Sequence, residues 1–309
     1  MSDVYLKSIV VMDTVVTIQV VGHGLDEQER IERAARVEAA LAWFNRIEAS
    51  CSRFDAQSEV SQLPAHVGSA VAVSSALFQA VQFAMAVAEE SDGAFDPTIG
   101  LRMEVRGFDR EHRTGRRVHT AMVSPNDVSF RDVYLDADRE TITLLRPLVL
   151  DLGAVAKGLA VDMAVRELSG FNDFVVDAGG DLYFSGRNPR GEAWSVGVRH
   201  PRNAHQMFET FTVSGAAVCT SGDYHRVGSR EHPGHHILDP RTGMPTSALA
   251  SVTVVAPTAL VADALATAAF VLGPIDGVRL LERHGVDGLL LTPGLERHTA
   301  NGTRACFPA

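Results

Sequence analysis

The sequence predicts an α+β fold with mainly antiparallel sheets and packed helices. Long helical stretches are interrupted by groups of successive strand-like runs, not by single strands in βαβ alternation. Glycine is concentrated in the middle: 13 of the 26 glycines fall from Gly153 to Gly243, where a strand-rich region needs turns and close backbone approaches. Apolar residues make up 46% of the 309 residues, ample for a packed core.

Taken in order, residues 8–20 are β-branched and read as a strand. Residues 26–49 are rich in Ala, Glu and Arg, with Ile31, Ala35, Ala39 and Ala42 at helical spacing, and predict a helix. Residues 74–90 form a second helix, capped by Ser74 or Ser75. Two short strands fall in 133–150, and a helix over 154–168 opens on a glycine turn. Strand-like runs follow near 173–178, 181–186, 194–199, 207–214 and 235–238. A strand at 250–256, helices at 258–271 and 274–284 and a strand at 287–292 close the pattern. No repeat or linker marks a boundary, so residues 1–309 are read as one composite domain.

Charge and cysteine usage exclude several classes. With 28 Lys+Arg against 38 Asp+Glu the chain carries a net −10, which disfavours nonspecific binding to nucleic acid or anionic membranes. Cys51, Cys219 and Cys306 form no CxxC pair, so neither a zinc ribbon nor a disulfide framework is expected, and a reducing compartment fits. No leader pattern is visible near Met1 and no apolar run reaches the ~18 residues of a membrane span. The expectation is a cytoplasmic protein without membrane insertion. The one basic stretch, residues 106–120, holds Arg106, Arg110, Arg113, Arg116 and Arg117. It is either a solvated loop or a surface that steers an anion.

Four runs carry chemistry. In DLGAVAKGLAVD (151–162) a strand enters a helix through Gly153, presenting backbone N–H groups and the positive helix end to a phosphate. Lys157 can reach the same anion and Asp151 can accept hydrogen bonds from a ligand, although a plain turn with a surface Lys reads the same way. In VADALATAAFVLG (261–273), Asp263 sits in an apolar helix with Thr267 four residues on, sharing its face. That hard-oxygen pair suits Mg²⁺ or Ca²⁺; the alternative is a solvated or Arg-paired carboxylate. In HHILDPRTGMP (235–245), His235 and His236 alternate along an extended segment, and either could act as a general base or serve structurally. CSRFDAQSE (51–59) and DGAFDPTIG (92–100) offer Phe54 and Phe95 to a flat ring or to the core.

Together with MDTVVTI, DAGGD (177–181) and TSGDYHR (220–226), these runs resemble, in order over roughly residues 10–275, the ApbE family of FAD:protein FMN transferases. The resemblance implies an ApbE-like, T-fold-like architecture and an Mg²⁺-dependent enzyme, with Ca²⁺ or Mn²⁺ as alternative ions. It further implies that FMN passes from FAD to a Thr or Ser hydroxyl of an acceptor flavoprotein, with release of AMP. Carried onto this chain, Asp263, Thr267 and the Ala154 carbonyl would hold the metal. Lys157 and Asp151 would contact FAD; Met12, Phe54, Ala94, Phe95 and Asp96 would line its pocket; His236 would be the base. Two other activities remain open: FAD hydrolysis to FMN and AMP, and FAD binding without catalysis. The chain departs from many family members at Ala154, where a second Gly is common, at Phe54, where Tyr is common, and at Arg106, where Trp is common.

Overall fold

A computed structural model describes residues 3–301 except 25, 112–114, 116, 121, 124, 126 and 225–232. The chain opens with a hairpin, β1 (Asp3–Val11) and β2 (Thr14–Gly22), then α1 (Glu27–Cys51) and the short α2 (Glu59–Gln62). Next come β3 (Val71–Ala72), α3 (Ser75–Glu90), α4 (Gly100–Val105), β4 (Val133–Asp136), β5 (Thr141–Leu144) and α5 (Ala156–Glu167). Strands β6 (Phe174–Ala178), β7 (Asp181–Ser185), β8 (Trp194–Arg199), β9 (Met207–Val213), β10 (Ala216–Gly222), β11 (Leu238–Asp239), β12 (Met244–Pro245) and β13 (Ser251–Ala256) follow. The long helix α6 (Ala259–Arg283) and strands β14 (Asp287–Leu291) and β15 (Arg297–Ala300) complete the described chain.

An eight-stranded sheet in the order β1-β2-β6-β7-β10-β13-β14-β15 organises everything else, and each neighbouring pair is antiparallel. Period-two alternation sends Val16, Ile18, Phe174, Val176, Val252 and Val254 to one face, where they meet the helices. Val218, Val255, Leu289 and Leu291 point to the other face, under the β8–β9 hairpin and its Trp194 and Phe211. Both faces of β13 are therefore covered, and all six of its residues are buried. The fold class matches the expectation: helices segregate to one face of an antiparallel sheet.

The helices sit where their patterns predict. Asp26 and Glu29 form a reciprocal capping box at the start of α1, and Ser74 caps α3 through the Leu77 N–H. Leu41, Phe44 and Ile47 of α1 are buried, and Trp43 Nε1 donates to Glu167 Oε1 of α5 at 3.0 Å. Each such apolar side chain stabilises the fold by about 1.5–3 kcal/mol relative to exposure.

Several boundaries differ from expectation. Residues 8–20 are not one strand: Met12 and Asp13, with φ of 52° and 58°, turn the chain tightly between Val11 and Thr14. No Gly or Pro announced that turn. Strand β10, at the centre of the sheet, was not anticipated, nor were β15 and the short β3, β12, α2 and α4. The run at 235–238 shrinks to the two-residue β11. By contrast, the two helices expected at 258–271 and 274–284 are both present: α6 (Ala259–Arg283) is broken at Gly273, whose φ of 84° and ψ of −175° are not helical, immediately before Pro274. That 25-residue helix is long and apolar enough to cross a bilayer by composition alone, but here it lies mostly buried in the core.

Of the basic stretch, Arg106 ends α4 against the Met244 sulfur and Arg117 pairs with Asp109 at 3.5 Å. Arg113 and Arg116 lie outside the described residues, as do Cys306 and His225 and Arg226 of the TSGDYHR run. Cys51 and Cys219 are buried free thiols.

The contact that brings the two site-bearing helices together is a glycine. A Cβ on Gly158 of α5 would lie 2.7 Å from the Ala259 carbonyl oxygen and from the Leu260 Cα. Asp162, one turn on, accepts the Ala259 and Leu260 N–H groups at 2.8 and 3.0 Å, satisfying the start of α6. Ala at 158 gains about 1 kcal/mol of helix propensity, but forcing a methyl into backbone costs about 1–3 kcal/mol or more. Gly158→Ala is therefore expected to destabilise, measured by urea unfolding. Gly170→Ala, which meets nothing within 4 Å, should stay within about 0.5 kcal/mol of the parent.

Candidate active site

A cavity of about 630 Å³ opens where the N-terminus of α5, the first half of α6, the β1–β2 turn and β10 converge. That volume suits a ligand of cofactor size. All eleven residues selected from the sequence line it. Asp151, Ala154 and Lys157 come from the α5 turn, Asp263 and Thr267 from α6, and His236 from the segment before β11. Met12 comes from the β1–β2 turn and Phe54 from the segment after α1, while Ala94, Phe95 and Asp96 come from the loop before α4.

Asp263 is the most constrained of them. It is 7% exposed, and its Oδ2 has no hydrogen-bond partner. Burial raises its pKa above the usual carboxylate range, opposed by the nearby Lys157 charge and by the Gly158 N–H that donates to it. An unpartnered buried carboxylate oxygen is costly unless a ligand completes it. Thr267, one turn along the same face, shares a hydrogen bond of 3.0 Å with Ser221 Oγ of β10. Among the described residues no three His, Cys, Asp or Glu side chains converge. A cation here would rest on carboxylate, hydroxyl and carbonyl oxygens, the donor set of a hard ion.

Lys157 forms an ion pair with Asp181, the buried residue that follows the Gly179-Gly180 turn. Both glycines have positive φ, 67° and 104°, and a Cβ on Gly179 would fall 2.0 Å from Thr14 Oγ1. The turn thus sits directly against the start of β2. The amides of the α5 entry are less available than the sequence suggested. Gly153 N donates to Asp151 Oδ1 at 2.9 Å, Val155 and Ala156 donate to the Leu152 carbonyl, and Gly158 donates to Asp263. Side-chain and ionic charge must carry more of any phosphate binding than helix amides do.

Asp151 is held on its second oxygen by Arg53 Nε, and its N–H donates to the Pro97 carbonyl at 2.7 Å. Asp96 lines the cavity, but its carboxylate shapes its own loop. It accepts from Thr98 N and Oγ1 at 2.8 and 2.7 Å and from Phe130 N at 3.0 Å, while burial pushes its pKa up. Met12 keeps its left-handed conformation with its N–H on Glu48 Oε1 at 2.9 Å.

The two adjacent histidines separate cleanly. His235 turns into the core, edge-on to Phe270 with ring centroids 5.5 Å apart. Its Nδ1 accepts the Ile237 N–H at 3.2 Å and its Nε2 lies 2.6 Å from the Thr246 carbonyl oxygen. Both nitrogens are thereby committed to the local chain. His236 faces the cavity, with Phe108 edge-on at 6.4 Å. Cys51 also lines the cavity, but burial, with Glu59 adding to it, pushes its thiol up to about 12, so it holds no nucleophilic thiolate near neutral pH.

Sequence reasoning passed over Arg53, Asp181, Ser221 and Glu48. Arg53, Asp181 and Ser221 sat inside runs already singled out for other residues (CSRFDAQSE, DAGGD, TSGDYHR), which was the available signal. Glu48 lay within an ordinary helical pattern and carried none.

The ApbE family model matches residues 12–290. Among curated relatives, an FAD:protein FMN transferase of Treponema pallidum (strain Nichols) is 34% identical over 292 residues, covering 87% of this chain and 75% of that protein. One from Haemophilus influenzae (strain ATCC 51907 / DSM 11121 / KW20 / Rd) is 28% identical over 263 residues, covering 81% and 76%. Among solved structures, the ApbE protein of Thermotoga maritima superposes with a TM-score of 0.84 at 29% identity over 99% of this chain and 100% of that one. The flavin transferase ApbE of Vibrio cholerae shares the fold, with a TM-score of 0.83 at 23% identity over 99% and 100%. With the family model spanning residues 12–290 and its motifs converging on one cavity, the chain belongs to the ApbE family.

Proposed function

We propose that this chain is an FAD:protein FMN transferase. It binds FAD, moves its FMN half onto a Thr or Ser hydroxyl of an acceptor flavoprotein and releases AMP. The observation that carries this reading is the buried, unpartnered Oδ2 of Asp263, a residue that lines the same cavity as Lys157 and His236. Joining a hydroxyl to a pyrophosphate requires charge neutralisation, positioning and proton removal. Asp263 with Thr267 and the Ala154 carbonyl fits the first, Lys157 adds a fixed cation, and His236 fits the last.

Asp263, Thr267 and Ala154 would hold Mg²⁺, which when bound would neutralise charge developing on the phosphate oxygens. Lys157, kept in place by Asp181, orients the pyrophosphate from the α5 side. Met12, Phe54 and the Ala94-Phe95-Asp96 loop supply apolar walls for a flat ring. His236 accepts the proton of the acceptor hydroxyl as that oxygen bonds to the FMN phosphorus and the bond to the AMP phosphate breaks. The whole described chain acts as one unit in this reading, because its lining residues run from Met12 to Val271.

Incubation with FAD, Mg²⁺ and a candidate acceptor, followed by intact-mass measurement, tests the reading. An acceptor heavier by one FMN supports transfer. FMN and AMP without that gain indicate hydrolysis, and intact bound FAD indicates a binder. Asp263→Asn is expected to lose Mg²⁺-dependent turnover while remaining folded by circular dichroism, and full activity in Mg²⁺ would remove Asp263 from the metal site. His236→Ala is expected to bind FAD normally and to transfer roughly 10²- to 10⁴-fold more slowly. Weakened flavin binding at unchanged turnover would make His236 a ligand contact instead.

A further inference from the structure

Arg53 is a buried cation that the proposed chemistry does not use. Its side chain is 4% exposed, and it touches two distant segments and its own neighbour, Phe54. Nε donates to Asp151 Oδ2 at the entry to α5, and one terminal nitrogen donates to the Phe108 carbonyl. The guanidinium lies over the Phe54 ring, 4.1 Å from its centroid. Phe108 in turn presents its ring edge-on to His236 at 6.4 Å. One rigid, planar group therefore connects the Asp151 side of the cavity to the His236 side.

Burying a guanidinium costs several kcal/mol unless its partners compensate. Here the carboxylate, the carbonyl and the aromatic face divide that task. Each needs a different direction from the same plane. The fork geometry of Arg meets all three at once, whereas a Lys ammonium is a point charge on a flexible stem. Phe108 lies in the basic stretch just after α4, where its N–H donates to the Met103 carbonyl at 3.0 Å and the Gly107 N–H to the Glu104 carbonyl at 2.9 Å.

We propose that Arg53 is a positioning residue that fixes Phe108, and through it the His236 ring, relative to the α5 entry. This rests on the transferase reading and adds to it a cavity-lining residue that acts through Phe108. The reacting hydroxyl must lie between a base on one wall and a phosphate held by the other. The distance between those walls is set by the Asp151–Arg53–Phe108 connection. A misplacement of about 1 Å between reacting groups costs on the order of 10²-fold in rate.

The test compares R53K, F108L and the double variant in the full chain. It measures melting temperature, FAD affinity by flavin fluorescence, and kcat and KM for FMN transfer. R53K keeps a cation for Asp151 and is expected to stay folded and to bind FAD. Its kcat should fall roughly 10- to 100-fold, with KM for FAD changing far less. F108L should lower kcat in the same way, and the double variant should be no slower than the slower single, since both break one connection. A wild-type kcat in R53K, a loss confined to KM, or losses that multiply in the double variant would overturn the inference. Should R53K fail to fold, F108L alone decides: an unchanged kcat there removes the connection to His236. A parent enzyme that neither binds FAD nor transfers FMN fails the transferase reading itself, whereas an active parent with an unaffected R53K fails only this inference.

Discussion

The site depends on one close approach. Helix α5 meets the first turn of α6 so tightly that Gly158 has backbone where a Cβ would be. Asp162 of α5 then caps two N–H groups of α6. Together they fix the offset between the helices, and that offset puts Lys157 of α5, with the Ala154 turn before it, on the same cavity as Asp263 and Thr267 of α6. Asp162 performs a backbone task from a buried position that raises its pKa, a cost accepted because the helix start has no other side chain for those two donors. The scaffold thus uses a carboxylate for architecture one turn beyond the lysine it offers to a ligand.

Charge in the cavity follows the same economy. The buried Arg53 is matched to Asp151 and Lys157 to Asp181, so two cations and two anions largely cancel. Asp263, which also lines the cavity, keeps one buried oxygen unpartnered. A chain of net charge −10 handles an acidic ligand, in the proposed reading, by holding its local cations in place and leaving one carboxylate to recruit another. Global charge disfavours polyanionic partners without describing the site, because a group a few ångströms away outweighs one beyond a Debye length of about 8–10 Å.

Backbone strain gathers where the cavity wall is made. Met12 and Asp13 both adopt left-handed conformations that neither favours, and Glu48 receives the Met12 amide. Gly179, across from them, is crowded by Thr14. Both turns are two-residue hairpin ends in the central sheet, where the twist of the strands favours positive φ at both central residues. Glycine at 179 and 180 meets that demand without strain. At 12 and 13 the chain accepts it, and Met12 faces the cavity as a result.

The long helices α1, α3 and α5, most of the strands and the antiparallel class were legible in the sequence, because periodicity and capping are local signals. So were eleven of the residues that line the cavity, read from motifs in a family's order. Other features were not legible. Strand β10 was hidden because AAVCTSG shows no alternation when both faces of a central strand are covered. The Met12–Asp13 turn was hidden because it lacks glycine. His235 and His236 looked equivalent, and only the packing of Phe270 against one ring and the opening of the cavity before the other separate them. By itself, then, the sequence determined which elements form and which side chains are available for chemistry. The tertiary structure decided which of them face one another, because pairing across distances such as 53 to 151 or 157 to 181 is set by sheet order and helix offset, on which local pattern is silent.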